Sequence, residues 1–241
     1  MHSGDGLIGM GQQYTASNYD STNDYQTRSA ELTGIADGKA GTVSGWFRLA
    51  GGDGVAQVLM SNRTVTTTGP TIVRGSTNVL AIRMSNSASV NVLVHATTRT
   101  YLAGSGWHWF GFSWNLSAGL AIGYVDDIEA PAATTLTDDT IDYTTGNWAI
   151  GALTNGNSKF NGDLSGLLFH TSFLDLSLLA NRRKLITSNR RPATITGDAS
   201  SVLGVQPLIW APNGDASNNL GSGGNFTTTG ALTASSSSPS I

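Results

Sequence analysis

The sequence predicts an all-β protein, a two-sheet antiparallel sandwich with one short helix near 175–186. Three observations carry that expectation. Short β-type runs recur along the chain, separated by clusters of Gly, Asn, Asp and Ser. Within the clearest run, side chains alternate between two faces. The chain has 241 residues and 39% apolar content, enough to bury one large core, and it has no cysteine with which to staple a small one.

Residues 1–13 are Gly- and Gln-rich and read as an N-terminal arm. The sandwich is expected over 14–210, with strands at 42–49, 56–60, 79–84, 90–95, 107–114, 120–125, 147–150 and 164–170. In the run Trp107-His108-Trp109-Phe110-Gly111-Phe112-Ser113-Trp114, one face carries Trp107, Trp109, Gly111 and Ser113. The other carries His108, Phe110, Phe112 and Trp114, so three aromatics can enter a core between sheets. Gly111 marks a bulge or a close backbone approach. In 175–186 the apolar residues fall at helical spacing, at 176, 179 and 186 and at 178 and 185. Asp175 is placed to cap that helix, and Arg182-Arg183-Lys184 sit at its C-terminal end, where the dipole favours positive charge. These three charges read as a solvated helix end. Residues 205–210 read as a last strand near an edge, because Pro207 removes a ladder donor. Residues 211–241 are Gly-, Ser- and Thr-rich and read as a C-terminal arm.

Composition narrows function. Only 12% of residues are charged and the net charge is −3. A surface of neutral hydroxyls and amides suits a repeated subunit packed against its own copies, or a secreted β protein. The basic residues are too scattered to expect nucleic acid. No apolar stretch reaches the length of a membrane helix, and the first residues lack the pattern of a signal peptide. The absence of Cys excludes Cys-ligated zinc and thiol catalysis.

Two stretches resemble the laminin-G-like family of concanavalin A-like jelly rolls. The first is 106–115 followed by Gly119-Leu120-Ala121-Ile122-Gly123-Tyr124-Val125-Asp126-Asp127, similar to the family's "WH … YVDG" hairpin. The second is Trp148-Ala149-Ile150-Gly151 with 160–169, similar to its late "IG … F-x-G-x-I" strand. The segment 19–25 echoes an early "FDG-x-x-DY" element, and the helix near 175–186 falls where the family has one. The resemblance spans about 14–190 and implies a jelly-roll fold. The Asn181–Lys184 stretch and Pro212-Asn213-Gly214-Asp215-Ala216 look similar to virion proteins of tailed bacteriophages.

Catalysis finds little support in the residues. A retaining glycosidase of this topology needs two carboxylates flanking one bond. The two glutamates, Glu31 and Glu129, lie in no such motif. No G-x-S-x-G occurs, and Gly104-Ser105-Gly106 reads as a turn. His95, His108 and His170 fall in or at the ends of expected strands and read as strand residues. Calcium is the cofactor the resemblance raises, with Asp20, Asp24, Asp126, Asp127, Asp138 and Asp139 as candidates. Turn formation is the preferred reading of these aspartates, and no cofactor, metal or catalytic residue is expected. Trp46, Trp109, Trp148 and Trp210 are the candidate platforms for stacking a sugar. The expected function is that of a non-enzymatic virion protein, a capsid decoration or a head or tail fibre module. It would be assembled in the host cytoplasm and bound to copies of itself, as in a trimer, and to other virion proteins. The alternative is an adhesin recognising host glycans, and a third reading is a polysaccharide depolymerase.

Overall fold

The computed structural model describes residues 14–239; the arm expected over 1–13 lies outside them. The described chain is a two-sheet antiparallel jelly-roll sandwich. Its strands are β1 (Ser17–Asp20), β2 (Tyr25–Arg28), β3 (Ala40–Leu49), β4 (Gln57–Ser61), β5 (Pro70–Arg74), β6 (Val79–Ser85), β7 (Asn91–Thr100) and β8 (Trp107–Asn115). They continue with β9 (Leu120–Val125), β10 (Ile128–Glu129), β11 (Thr135–Leu136), β12 (Trp148–Ile150), β13 (Asn161–His170), β14 (Ile209–Ala211), β15 (Thr227–Thr229) and β16 (Thr233–Ala234). One sheet runs β10-β9-β8-β3-β13-β1-β16, with β14 also on β13. The other runs β11-β7-β6-β5-β4-β12-β2-β15. All eight strands read from the sequence are present.

Alternation builds the core. Phe110, Phe112 and Trp114 of β8 point between the sheets and meet Val43 and Phe47 of β3, Leu164, Leu167 and Phe169 of β13, and Ile72, Leu80 and Ile82 of the facing sheet. The opposite face of β8 is also buried. Trp109 joins Trp46, Tyr124, Leu168 and Trp210 in a second apolar cluster, closed from outside by Leu174, Leu176, Leu185, Ile186, Ile195 and Val202. The first sheet is thus covered on both sides. Gly111 is required there: a Cβ at this position would lie 2.6 Å from the Trp109 ring and 3.3 Å from Leu176. Its role is close approach; the bulge sits elsewhere, in β13 between Ser165 and Leu168, where Gly166 takes φ +57°. That bulge lets one long strand pair with β1 along its first half and β14 along its second.

Three expectations are corrected. The helix near 175–186 exists only as α1 (Leu179–Arg182), one turn long. Asp175 does not cap it. Its Oδ1 accepts from Ser177 N at 2.9 Å in the preceding turn, because burial of Leu176 draws that turn inward. Leu178 and Leu179, expected on the apolar stripe, are more than half exposed. Arg182 and Arg183 are not a solvated helix end either. Both bind Asp127, at 2.9 and 2.7 Å, and Arg182 lies 4.2 Å over the Tyr124 ring. A further helix, α2 (Ser200–Leu203), buries Val202.

The third correction concerns the C-terminal region. The strand expected at 205–210 is β14, shorter and not the last. Residues 211–239 are not a loose arm: β15 pairs with β2 and β16 with β1. Phe226 enters the main core. The polar residues that look like a linker instead complete backbone hydrogen bonding. Asn219 accepts from Trp210 N at 2.8 Å and donates to the carbonyls of Leu208 and Gly224. Buried Gln26 accepts from Ala216 N and donates to Thr228 Oγ1 at 3.1 Å.

Candidate functional site

The four expected stacking platforms are all interior. Trp109, Trp148 and Trp210 are at most 1% exposed, and Trp46 is 4% exposed. The reason is the second cluster, which seals the outer face of the first sheet where Trp46, Trp109 and Trp210 lie. Trp148 is in the main core, 5.1 Å from the Phe169 ring.

The candidate calcium aspartates disperse, and among the described residues no three His, Asp or Glu side chains gather as a metal site. Asp20 accepts from the backbone N–H groups of Thr22, Asn23 and Asp24, which hold its carboxyl below the usual range. Asp24 accepts from Ala231 N, Asp138 pairs with Lys39, and Asp139 binds Asn86 and Thr140 N. Asp126 and Asp127 form the two-residue hairpin between β9 and β10, both at positive φ, a conformation Asp tolerates better than most residues.

One arrangement dismissed at the sequence level is assembled. Ser105 Oγ lies 2.9 Å from His108 Nε2, and His108 Nδ1 lies 2.7 Å from Asp126 Oδ2. The order is that of a serine-hydrolase relay. Its first and last members also bind the backbone. Ser105 Oγ donates to the Leu102 carbonyl at 2.6 Å, which takes the proton a base would need to remove. Asp126 Oδ1 also accepts from Trp109 N. The chain therefore ties the turn before β8 to the β9–β10 hairpin. His95 is buried between the sheets, and burial lowers its pKa. His170 Nδ1 accepts from Ser172 N, and burial lowers this pKa too.

Two open clefts of a few hundred cubic ångströms are candidates. One, about 340 Å³, is lined by Gln57, Asn157, Ser158, Lys159 and Asn161 among others and contains no aromatic ring. The second, about 370 Å³, lies at the rim of the outer cluster. Trp46, Trp107, Asn189, Arg190, Arg191 and Pro239 line it, with Gly106 at its edge. Trp107 is the one tryptophan that is not buried. It is the first residue of β8 and its ring is fixed, since Nε1 donates to Ser237 Oγ at 2.9 Å. Arg48 lies 6.0 Å from that ring but is committed to the buried Asp163.

The opposite wall is a tight turn. Thr187 N donates to Arg191 O at 2.8 Å, and Arg191 N donates back to Thr187 Oγ1 at 3.1 Å. Ile186 and Pro192 bridge across its base, and buried Leu185 and Ile186 root it in the outer cluster. Tyr14 Oη donates to the Ala193 carbonyl at 2.9 Å just beyond. Asn189, Arg190 and Arg191 are exposed on this turn. The sequence reading named neither Trp107 nor these arginines as site residues. The available signal was positional: Trp107 follows a Gly-Ser-Gly turn, and Asn189-Arg190-Arg191 precedes a proline in a turn-rich stretch.

Chemically, the cleft is lined by an indole, an asparagine and two arginines, and among the described residues by no carboxylate. Its sequence matches no protein-family model and no curated protein. Solved structures are similar in fold. A candidate carbohydrate-binding protein from Bacteroides ovatus matches over 94% of this chain at TM-score 0.64 and 14% identity. The chain spans 62% of that protein's length. The binding domain of botulinum neurotoxin serotype G matches over 71% of this chain and 44% of its own, at TM-score 0.51 and 9% identity. A heptameric SAP-like pentraxin from Limulus polyphemus covers 67% of this chain and 78% of its own at TM-score 0.49 and 14% identity. At these identities the likeness is one of fold.

Proposed function

We propose that the chain is a non-enzymatic binding module whose ligand is a glycan, held in the Trp107 cleft. The observation that carries this reading is the pairing of a fixed, partly exposed indole with Asn189 and two arginines in one cleft. A pyranose ring presents an apolar face that stacks on an aromatic, and hydroxyls that need fixed amide or guanidinium partners. The likeness to a candidate carbohydrate-binding protein supports the reading at the level of fold. Among the described residues, no pair of carboxylates lines the cleft to break a glycosidic bond. Trp107→Ala is expected to weaken glycan binding about tenfold or more, with the β-sheet circular dichroism unchanged. Calorimetry against the best ligand from a glycan array measures it. Absence of binding to a broad glycan panel at millimolar concentration would sink the reading.

A second reading is a virion subunit, a decoration or fibre module held by contacts with its own copies and other particle proteins. It has support in the 12% charge content and in Leu178 and Leu179, exposed side by side at 55% and 53%. A glycan-binding module carried on a virion satisfies both readings. Light scattering tests the second: a monomer at high concentration that does not co-sediment with phage particles would count against it.

A further inference from the structure

Resting on the glycan-binding reading of the Trp107 cleft, we infer that the sugar it takes is acidic, with a carboxylate seated against Arg190. The chain holds 13 Lys and Arg residues. Six of them, Lys39, Arg48, Arg63, Arg74, Arg182 and Arg183, are held by carboxylates of the protein itself. The Arg190 guanidinium is not: it has neither ion pair nor hydrogen bond among the described residues. It lines the cleft together with Arg191, and among the described residues no acidic side chain lines it with them. In a protein of net charge −3, this places positive charge locally where the whole molecule carries the opposite sign.

Backbone geometry points the same way. Arg190 sits at φ +55°, where a long L side chain is disfavoured. The turn is nevertheless closed on both sides by the Thr187–Arg191 hydrogen bonds and rooted by Leu185 and Ile186. A strained residue held by an over-determined frame is a feature associated with ligand sites. Here the frame presents a planar fork of N–H donors, the shape that matches a carboxylate with two parallel hydrogen bonds. The Trp107 indole supplies the surface for the apolar face of the same sugar ring. The ligand class is therefore a glycan containing hexuronate or a sialate-type sugar. A sulfate ester would answer to the same donors, so the test separates the two.

The experiment titrates the full chain by calorimetry with trigalacturonate, its methyl ester, sialyllactose, lactose and a sulfated galactan oligosaccharide. At least one free carboxylate sugar is expected to bind, with about tenfold or greater loss on esterification or removal of the acidic residue. Binding should also weaken steeply with added salt. Arg190→Gln should lower affinity for the acid about tenfold, a larger loss than for any neutral sugar that binds. Arg190→Lys, which keeps the charge but not the fork, should fall between. Equal affinity for acidic and neutral sugars overturns this inference and leaves the glycan reading standing. So does an Arg190→Gln protein that binds the acid as well as the native protein while Trp107→Ala does not. Binding of the sulfated oligosaccharide alone overturns the carboxylate assignment. Failure of every sugar overturns the glycan reading and this inference with it.

Discussion

On its inner face β8 sends Phe110, Phe112 and Trp114 into the layer between the sheets; on its outer face Trp109 enters a cluster closed by residues 174–202. The inner layer draws on strands from almost the whole described chain, most of them held by ladders on two sides. The outer cluster has one sheet as its floor, but its lid is a segment with two single-turn helices and an isolated bridge. Equal burial therefore coexists with unequal backbone support. Such a lid can open without the sandwich unfolding, whereas the inner layer cannot lose its packing alone. The Trp107 cleft belongs to the less supported side, since Trp46 and the Thr187–Arg191 turn both rest on the outer cluster.

Substitutions on the two sides of this strand would sharpen or break that contrast. Phe112→Ala should cost about 3–5 kcal/mol of global stability, read from urea unfolding, because it leaves a cavity between two sheets. A loss below about 1 kcal/mol would mean the inner layer is not the common core. Leu176→Ala, in the lid, should cost about 2 kcal/mol or more. Its effect should be local, with faster hydrogen exchange over 177–203 and unchanged protection in β3 and β6. Uniform loss of protection would show the two clusters to be one cooperative unit.

Asp127→Asn should cost about 1–2 kcal/mol, as it weakens charge-assisted bonds to Arg182 and Arg183 that tie the lid to the β9–β10 hairpin. Proteolysis within the lid is the measurement. Desolvation raises the Asp127 pKa, but the hydrogen bonds and charges of the two arginines outweigh it and hold it below its ordinary value. The stability it contributes is present above the unfolded carboxylate pKa of about 4 and is lost as pH falls through the lower folded value.

The smallest expected effect belongs to His95, in the inner layer. Burial lowers its pKa, against opposing contributions from the Pro131 carbonyl and Glu129. The unfolded chain therefore takes up the proton first. Stability should decline as pH drops below about 6.5 until the folded value is passed, with a slope no steeper than about 1.4 kcal/mol per pH unit. His95→Leu should flatten that slope in thermal melts across pH 5–7. His170, lowered by burial in the same sense, leaves a remainder.

Strands with aromatic and β-branched alternation were legible because the period itself reports which face is buried. The run at 107–114 shows this best, with its even-numbered aromatics in the main core. β15 and β16 were not legible. Their Thr-rich sequences carry no apolar period, and what makes them strands is the free edges of β2 and β1. The helix was over-read, since apolar spacing at 176–186 is met by three buried residues anchoring two turns. The site was the least legible part. Six tryptophans look alike in a sequence, and only the lid, itself weak in pattern, decides that Trp107 alone stays at the surface.

The pairing of Ser17 with Ala234, and of Tyr25 with Thr229, brings together strands from opposite ends of the described chain. β16 and β15 each take the outer place beside a strand of a different sheet. A proteolytic cut near 225 would unmask two ladders at once, one per sheet, with donors and acceptors ready for another molecule. Intact, this segment acts as a guard against edge-to-edge self-association. Losing it would be felt first as turbidity, before any drop in melting temperature.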